Sequence, residues 1–189
     1  MIRGSVDESR IIHRSICYCQ DCQAFARFLG RAADILDERG GSDVVQILPM
    51  SIRFTHGLER LECMRLTPKG LLRWYAGCCK TPLGNTLWSR KFSFIGLLHS
   101  CLESDRSSLD EAFGPVRSLV HTQGAMGGPK PRTVGQGVMV RNILLAMFLA
   151  RLSGNYRRNR LFDDATGAPI ASPRILTANE RAALMQTGP

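Results

Sequence analysis

Three cysteines lie within six residues of one another in the segment SICYCQDCQAF. They are Cys17, Cys19 and Cys22, and the C-x-C-x-x-C spacing brings three sulfur atoms together on one turn. Thiolates so grouped suit a soft or borderline cation, and tetrahedral Zn²⁺ is the usual occupant in proteins. Three protein ligands leave one position for water or substrate, which is the arrangement of catalytic zinc. We therefore predict a zinc site here with these cysteines as ligands, catalytic if the fourth position stays open.

The residues after Cys22 favour a helix. In DCQAFARFLG the apolar residues Phe25, Phe28 and Leu29 recur at helical spacing, and Gly30 is a suitable end. The first N–H groups of that helix and the positive end of its dipole would face the sulfur atoms. Both effects stabilise thiolates, so the helix is expected to support metal binding.

Three other interpretations of the cluster remain open. Cys19 and Cys22 form a C-x-x-C pair that could be redox-active, although no thioredoxin-like βαβ pattern follows them. An iron–sulfur cluster would need a fourth thiolate within reach. The three cysteines could also be unrelated buried side chains.

A second pair of cysteines, Cys78 and Cys79, lies in the segment RWYAGCCKTPLGN. Neighbouring residues in a regular strand point to opposite faces, so both can bind one metal only where the backbone turns. The TPLGN segment predicts such a turn. One member of the pair could complete a four-cysteine site with the first three, and the zinc would then be structural. Both are therefore candidate metal ligands.

The remaining ionisable and sulfur-bearing residues carry weaker signals. Cys63 and Cys101 are isolated and are expected to be small buried side chains. Asp21, inside the first motif, is either a hydrogen-bonding partner of the metal site or an exposed turn residue. The histidines match no ligand spacing and are expected at the surface or at caps, with His13 nearest the cluster. They are His13, His56, His99 and His121.

Short runs of strand-forming residues dominate the first half of the chain. RIIHRSI leads into the first cysteine, and VVQIL, SIRFT, RLECMRL, LLRWYA and FSFIGLL follow between residues 43 and 98, separated by turn signals. AADILDERGG predicts one further short helix. Strands and helices do not alternate as a parallel sheet requires. The fold class predicted is mainly β with added helices, built on a small zinc-binding sheet of antiparallel hairpins.

The second half predicts loops and helices. Residues 102–137 are polar and rich in Gly and Pro, whereas VMVRNILLAMFLARL at 138–152 gives the strongest helical pattern. Thr177 and Glu180 have capping-box spacing, which predicts a short final helix. We expect a zinc-binding β domain at 1–101, a loop-rich connection at 102–137, and a helical extension at 138–189 packed on or beside the domain.

Composition, charge and the lack of long apolar runs argue against several classes of protein. Of 189 residues, 44% are hydrophobic and 22% charged, which is globular composition. The net charge of +9 favours an anionic partner, but no basic–aromatic repeat indicates nucleic-acid binding, so no nucleic-acid partner is expected. The N-terminus has no signal-peptide pattern, and the apolar run NILLAMFLA is far shorter than the ~20 residues of a membrane span. The expected location is cytoplasmic, where seven cysteines are thiols or ligands rather than disulfides.

The helix at 138–152 permits two interpretations. The favoured one is a helix packed into the core and followed by a solvated basic tail. The alternative is peripheral attachment to a membrane through the helix and the arginines beside it. Those arginines are Arg151, Arg157, Arg158 and Arg160.

The two cysteine motifs, in this order, resemble the glutathione-dependent formaldehyde-activating enzyme family. The chain is most similar to an uncharacterised bacterial branch that carries C-Y-C-x-D-C-Q-A-F and R-W-Y-A-x-C-C-x-T-P segments, and the likeness covers about residues 3–98. The resemblance implies a small β fold with two possible zinc sites. It also implies that the first three cysteines hold catalytic zinc, where the thiol of glutathione meets formaldehyde and forms S-hydroxymethylglutathione, a carbon–sulfur lyase activity. A positive pocket would bind the carboxylates of the tripeptide, and its candidates by position are Arg27, Arg31 and Arg73.

The chain departs from that family at the structural zinc. The family uses an N-terminal C-x-C-G and a later C-x-x-C-G, but here no cysteine precedes Cys17. Ala76 replaces the first cysteine of the later pair, Cys79 matches the second, and Lys80 replaces the glycine, while Cys78 is a possible substitute. We expect a late start of the chain, since RGSV resembles the middle of the strand that follows such a pair; a degenerated site is the alternative.

Two functions remain after these observations. The first is a zinc-dependent, carbon–sulfur lyase-like enzyme that acts on the adduct of a thiol, glutathione or a similar molecule, with a small aldehyde. The second is a non-catalytic binding module, stabilised by a zinc that a fourth cysteine closes, with a basic surface for its partner. An open coordination position would distinguish them.

Overall fold

The computed structural model describes residues 1–103 and 108–185. The strands in these ranges are β1 (Arg3–Val6), β2 (Ile11–Cys17), β3 (Ser42–Ile47), β4 (Ile52–His56), β5 (Leu61–Arg65), β6 (Leu72–Ala76), β7 (Pro82–Thr86), β8 (Ile95–Leu98), β9 (Ser118–Val120) and β10 (Arg174–Ile175). The α-helices are α1 (Gln20–Phe28), α2 (Ala32–Ile35), α3 (Leu109–Phe113), α4 (Gln136–Leu152) and α5 (Ala178–Met185).

Eight of these strands form one sheet in the order β10-β5-β6-β7-β8-β3-β2-β9. The six central strands are antiparallel, and β5 to β8 follow one another as hairpins. The two edge strands, β9 and β10, run parallel to β2 and β5. Strands β1 and β4 form a separate antiparallel pair. The prediction of a mainly β fold with added helices is confirmed, while the parallel edges were not predicted.

The TPLGN segment was predicted to be a turn, and this prediction is wrong because the segment opens strand β7. Its glycine supplies space rather than a bend: a Cβ on Gly84 would lie 2.5 Å from the carbonyl oxygen of Gly96 on β8. The actual turn comes earlier, where the Lys80 N–H donates to the carbonyl of Ala76 at 2.9 Å. Lys80 has a φ of 56°, which closes the β6–β7 hairpin in a left-handed conformation.

One face of the sheet is mostly apolar, with a largely buried ion pair between Arg14 and Asp43 at its β2–β3 end. Trp74 at its centre is fully buried, and its indole N–H donates to Thr86 Oγ1 at 2.9 Å. Helix α3, the segment around Phe162 and the β1–β4 pair cover this face. The buried side chains of the face are Val45, Ile47, Leu61, Cys63, Leu72, Trp74, Ile95 and Leu97. This layer forms the main hydrophobic core.

The opposite face is apolar only in part. Under α1, Met64 and Tyr75 pack against Phe25, whose ring meets the Tyr75 ring edge-on at 6.4 Å between centroids. Beyond α1, a row of polar residues crosses the sheet through successive strand pairings and is buried along its length. The row consists of Arg73, Asn85, Gln46 and His13. We refer to these four residues as the polar row.

Helix α5 starts with the predicted capping box. The Glu180 carboxylate accepts a hydrogen bond from the Thr177 N–H at 2.8 Å, and the Thr177 hydroxyl accepts one from the Glu180 N–H at 3.2 Å.

Helix α4 is mostly exposed. It contacts β2 and β9, but of its 17 residues, all of them described, Ala150 alone is buried. The expectation that α4 packs into the core is therefore wrong, because the helix lies over the β2–β9 edge and only one side of it is covered. In the described part of the chain, no helix combines the length and the apolar character needed to cross a bilayer.

Candidate metal centre

The structure brings the three predicted cysteines together at the end of β2. Cys17 is the last residue of that strand, Cys19 is the N-cap of α1, and Cys22 lies in the first turn of the helix. Their sulfur atoms all lie within 4.8 Å of one another, and those of Cys17 and Cys22 are 3.8 Å apart. Cys17 and Cys22 are 9% and 8% exposed, and Cys19 is half-buried. This group, called the triad below, is arranged so that it can hold one metal ion.

Hydrogen bonds fix the loop that carries the triad. The N–H of Tyr18 donates to the carbonyl of Val120 on β9 at 3.0 Å. The side-chain amide of Gln23 donates to the carbonyl of Tyr18 at 3.2 Å and to that of Gly124 at 2.9 Å. The loop is therefore tied to the edge strand and to the segment after it, independently of any metal.

Gly124 allows the two segments to approach so closely. A Cβ at this position would overlap the carbonyl oxygen of Tyr18 and would lie 3.6 Å from the Cα of Cys19. A larger residue would force the cysteine loop and the 122–125 segment apart. The close approach thus depends on the absence of a side chain.

The surroundings of the triad shift the pKa values of its three thiols in different directions. The pKa of Cys22 is well below its usual value because hydrogen bonding with Cys17 and Cys19 favours its thiolate, and the Arg73 guanidinium adds a favourable charge. The pKa of Cys17 is raised by its bonds to Cys19 and Cys22 and by burial. For Cys19 the bond with Cys17 lowers the pKa, but the bond with Cys22 and burial outweigh it and raise the pKa to about 12. Burial and mutual hydrogen bonding therefore couple the three thiols, and the N-terminus of α1 favours the thiolate form of Cys22.

Arg73 is a buried cation beside this site. Its side chain is 2% exposed, its Nη1 donates to Asn85 Oδ1 at 3.2 Å, and its guanidinium lies 5.3 Å from the centre of the Phe25 ring. Among the described residues, no carboxylate lies within ion-pair distance of Arg73. A buried charge without a counter-charge is costly, so the thiolates are its natural partner. Three thiolates around Zn²⁺ carry one net negative charge, which a single arginine offsets.

The rest of the polar row carries buried atoms without partners. The amide of Gln46 donates to Ser15 Oγ at 2.7 Å, while Gln46 Oε1 has no partner in the described residues. His13 Nε2 lies 2.7 Å from Ser118 Oγ, and His13 Nδ1 has none. His13 is 2% exposed, so the expectation that it lies at the surface is wrong. Because buried polar atoms in proteins are nearly always hydrogen-bonded, the row is suited to a polar ligand or to water.

The second cysteine pair is not part of the triad. Cys78 and Cys79 are exposed in the turn between β6 and β7, where the sulfur of Cys79 lies 3.2 Å from Thr81 Oγ1. Within residues 1–103 and 108–185, the triad is the one group of three or more Cys, His, Asp or Glu ligand atoms this close together. Metal binding by Cys78 and Cys79 remains a prediction from the sequence.

Two of the three candidate arginines are engaged elsewhere. Arg27 Nη1 donates to the carbonyl of Leu184 on α5 at 2.9 Å. Arg31 forms an ion pair with Asp34 at 2.9 Å. Asp21 is half-exposed in the first turn of α1 and lies 3.7 Å from an Arg181 nitrogen, so it is a surface residue of the helix rather than a turn residue. Of the three, Arg73 is the arginine whose charge acts on the triad.

Sequence reasoning missed Gln23 and Gly124 as supports of the site. Gln23 belongs to the CQAF part of the first motif, and that placement was the available signal. Gly124 is 102 positions beyond Cys22, in a stretch read as loop, and nothing local marks it. Cys63 is buried, as predicted, whereas Cys101 is half-buried and its sulfur lies 3.0 Å from the carbonyl oxygen of Leu98.

A comparison with protein families shows which family the chain belongs to. A family of unknown function, DUF6151, matches residues 5–173. The chain belongs to the DUF6151 family. The DUF6151 match includes the triad, the polar row and α4, so these features lie within one family unit. No curated protein matches the chain.

Proposed function

We propose that this DUF6151 protein is a zinc-dependent enzyme with carbon–sulfur lyase-like chemistry, acting on the adduct of a thiol, such as glutathione, with a small aldehyde. The observation that carries the proposal is the triad itself. Three sulfur atoms lie within 4.8 Å of one another, and no fourth Cys, His, Asp or Glu of the described residues joins them. Three protein ligands leave a coordination position for a reactant.

The residues present fit zinc rather than a hard cation. All three donors are thiols, which favour soft or borderline metals. Arg73 offsets the net negative charge that such a complex would carry, and the N-terminus of α1 favours thiolates. Zinc bound at such a site supplies Lewis-acid chemistry, which makes a thiol more acidic and a carbonyl carbon more electrophilic.

The residues of the polar row support a polar thiol substrate. Arg73 can bind a carboxylate, and the buried Gln46 Oε1 can accept a hydrogen bond from an amide or hydroxyl of the ligand. In the reaction, the thiol sulfur bonds to the carbonyl carbon of the aldehyde and the thiol proton ends on the carbonyl oxygen, so no oxidant or reductant is required.

Metal analysis combined with a rate measurement tests the proposal. We expect one zinc in the wild-type protein, with an X-ray absorption spectrum of three sulfurs and one oxygen or nitrogen. Cys19→Ser should lose the zinc, whereas Cys101→Ser, which changes a half-buried cysteine outside the triad, should keep it. The wild type should also accelerate the exchange between glutathione plus formaldehyde and their adduct, measured by NMR exchange spectroscopy. A four-sulfur shell, or an exchange rate equal to that without protein, would sink the enzymatic proposal, and the four-sulfur shell would favour the binding module.

A further inference from the structure

Helix α4 presents a continuous apolar surface to the outside. Phe148 is 58% exposed and Leu152 is 69% exposed. Scattered exposed apolar residues are normal on proteins, but a contiguous stripe marks an interaction surface. The stripe, called the α4 face below, consists of Val138, Leu144, Leu145, Phe148, Leu149 and Leu152.

The spacing of these residues shows that α4 has two apolar sides. Positions 138, 145, 149 and 152 follow one another at near-helical periodicity and point away from the protein. On the other side, Met139 packs against the triad and Ala150 is buried. The inner side therefore attaches the helix to the sheet, and the outer side is left without a partner in this chain's described residues.

The chain segment that contains α4 carries charge of one sign. Residues 112–162 contain no Asp or Glu, although they make up more than a quarter of the chain. Almost the whole net charge of +9 arises from this segment. Its basic residues are Arg117, Lys130, Arg132, Arg141, Arg151, Arg157, Arg158 and Arg160.

Several of these basic groups border the apolar stripe. Arg141 and Arg151 are exposed and lie on α4 itself. The Arg151 guanidinium lies 4.5 Å from the centre of the Tyr156 ring, and the Arg157 guanidinium lies 5.6 Å from it. The C-terminal end of α4 thus carries an arginine–tyrosine cluster next to exposed leucine and phenylalanine side chains.

We propose that the α4 face is a docking surface for an anionic lipid bilayer, with the helix lying in the plane of the headgroups. The apolar stripe and the basic border supply the two signals that stable peripheral attachment requires. Aromatic and arginine side chains together are typical of the headgroup region. A second copy of the chain is a poorer occupant, since pairing of two α4 faces would bring the arginines of both copies together, and the 112–162 segment has no Asp or Glu to offset them. This inference does not depend on the proposed enzymatic activity.

Vesicle flotation with the full chain tests this inference. We expect the wild type to bind vesicles of phosphatidylcholine mixed with phosphatidylglycerol, to bind pure phosphatidylcholine much more weakly, and to dissociate as salt is added. The double variant Leu145→Gln/Phe148→Gln should bind the mixed vesicles at least about tenfold more weakly. Arg151→Gln/Arg157→Gln should reduce binding to the mixed vesicles alone, by roughly fivefold or more. Ile175→Gln, which changes a 48% exposed residue on edge strand β10, is the matched control and should bind as the wild type does.

Because all five positions are exposed, thermal melting should show that each variant folds as the wild type does. Two results would overturn the inference. One is a wild type that does not float with the mixed vesicles, or that binds neutral and anionic vesicles equally. The other is a wild-type dimer in analytical ultracentrifugation that becomes a monomer in the Leu145→Gln/Phe148→Gln variant, which would make the α4 face a self-association interface.

Discussion

Alanine at position 124 would separate the cysteine loop from the segment that holds it. The new Cβ would overlap the Tyr18 carbonyl oxygen so strongly that one segment must move by about 1 Å. Metal–ligand distances tolerate only about 0.2 Å, so zinc binding would require the loop to return to its original, now overpacked, position. Overpacking of this kind costs about 1–3 kcal/mol, which corresponds to a loss of zinc affinity of about five- to 150-fold.

The assay is competition for zinc between the protein and a chromogenic chelator. Gly137→Ala is the matched control, because a Cβ at Gly137 meets no atom within 4 Å and the residue lies in the first turn of α4. We expect Gly137→Ala to bind zinc as the wild type does, whereas Gly124→Ala binds it about five- to 150-fold more weakly. The reasoning is refuted if Gly124→Ala holds zinc within about twofold of the wild-type affinity, a difference well below that range.

Two further predictions concern the sheet beneath the site. Burial lowers the pKa of His13, and the Arg117 charge lowers it further. In the unfolded chain His13 takes up a proton below about pH 6.5, whereas in the native state it does so only at lower pH. The free energy of unfolding therefore falls as the pH drops below about 6.5. In chelator-treated protein, His13→Gln should show a smaller loss of melting temperature over that pH range than the wild type or the exposed-site control His56→Gln; equal losses would contradict the prediction. Trp74→Phe removes buried volume and the bond to Thr86 and should lower the free energy of unfolding in urea by about 1–3 kcal/mol. Trp88→Phe, at a 53% exposed site, should change it by less than about 0.5 kcal/mol, and similar values for the two variants would count against the packing described.

The sequence predicted those features that depend on neighbours a few residues apart. The triad is one, since its three ligands lie on one turn at the start of α1. The Thr177–Glu180 capping box is another, because both of its hydrogen bonds join residues three positions apart. In the central sheet, runs of strand-forming residues between turn signals located β3, β5 and β6.

Turn signals failed where a residue had a tertiary role. Gly84 suggested a turn, yet it lies within β7 because the neighbouring strand approaches too closely for a side chain. Gly124 ends a short 3-10 turn, and its sequence context did not show that it permits the contact that positions Tyr18 and Cys19. A glycine that bends the chain and a glycine that makes room look alike in a sequence.

By itself, the sequence determined that three thiols can bind one metal and that a long apolar helix follows, because spacing along the chain fixes both. The tertiary structure decided which arginine faces the thiols and which side of α4 stays uncovered. Arg73 reaches Cys22 across 51 residues through strand pairing and the packing of α1, and α4 is half-exposed because it lies at the edge of the sheet. Such contacts join residues far apart in the chain, so their register follows from the packing of the whole sheet rather than from any local pattern.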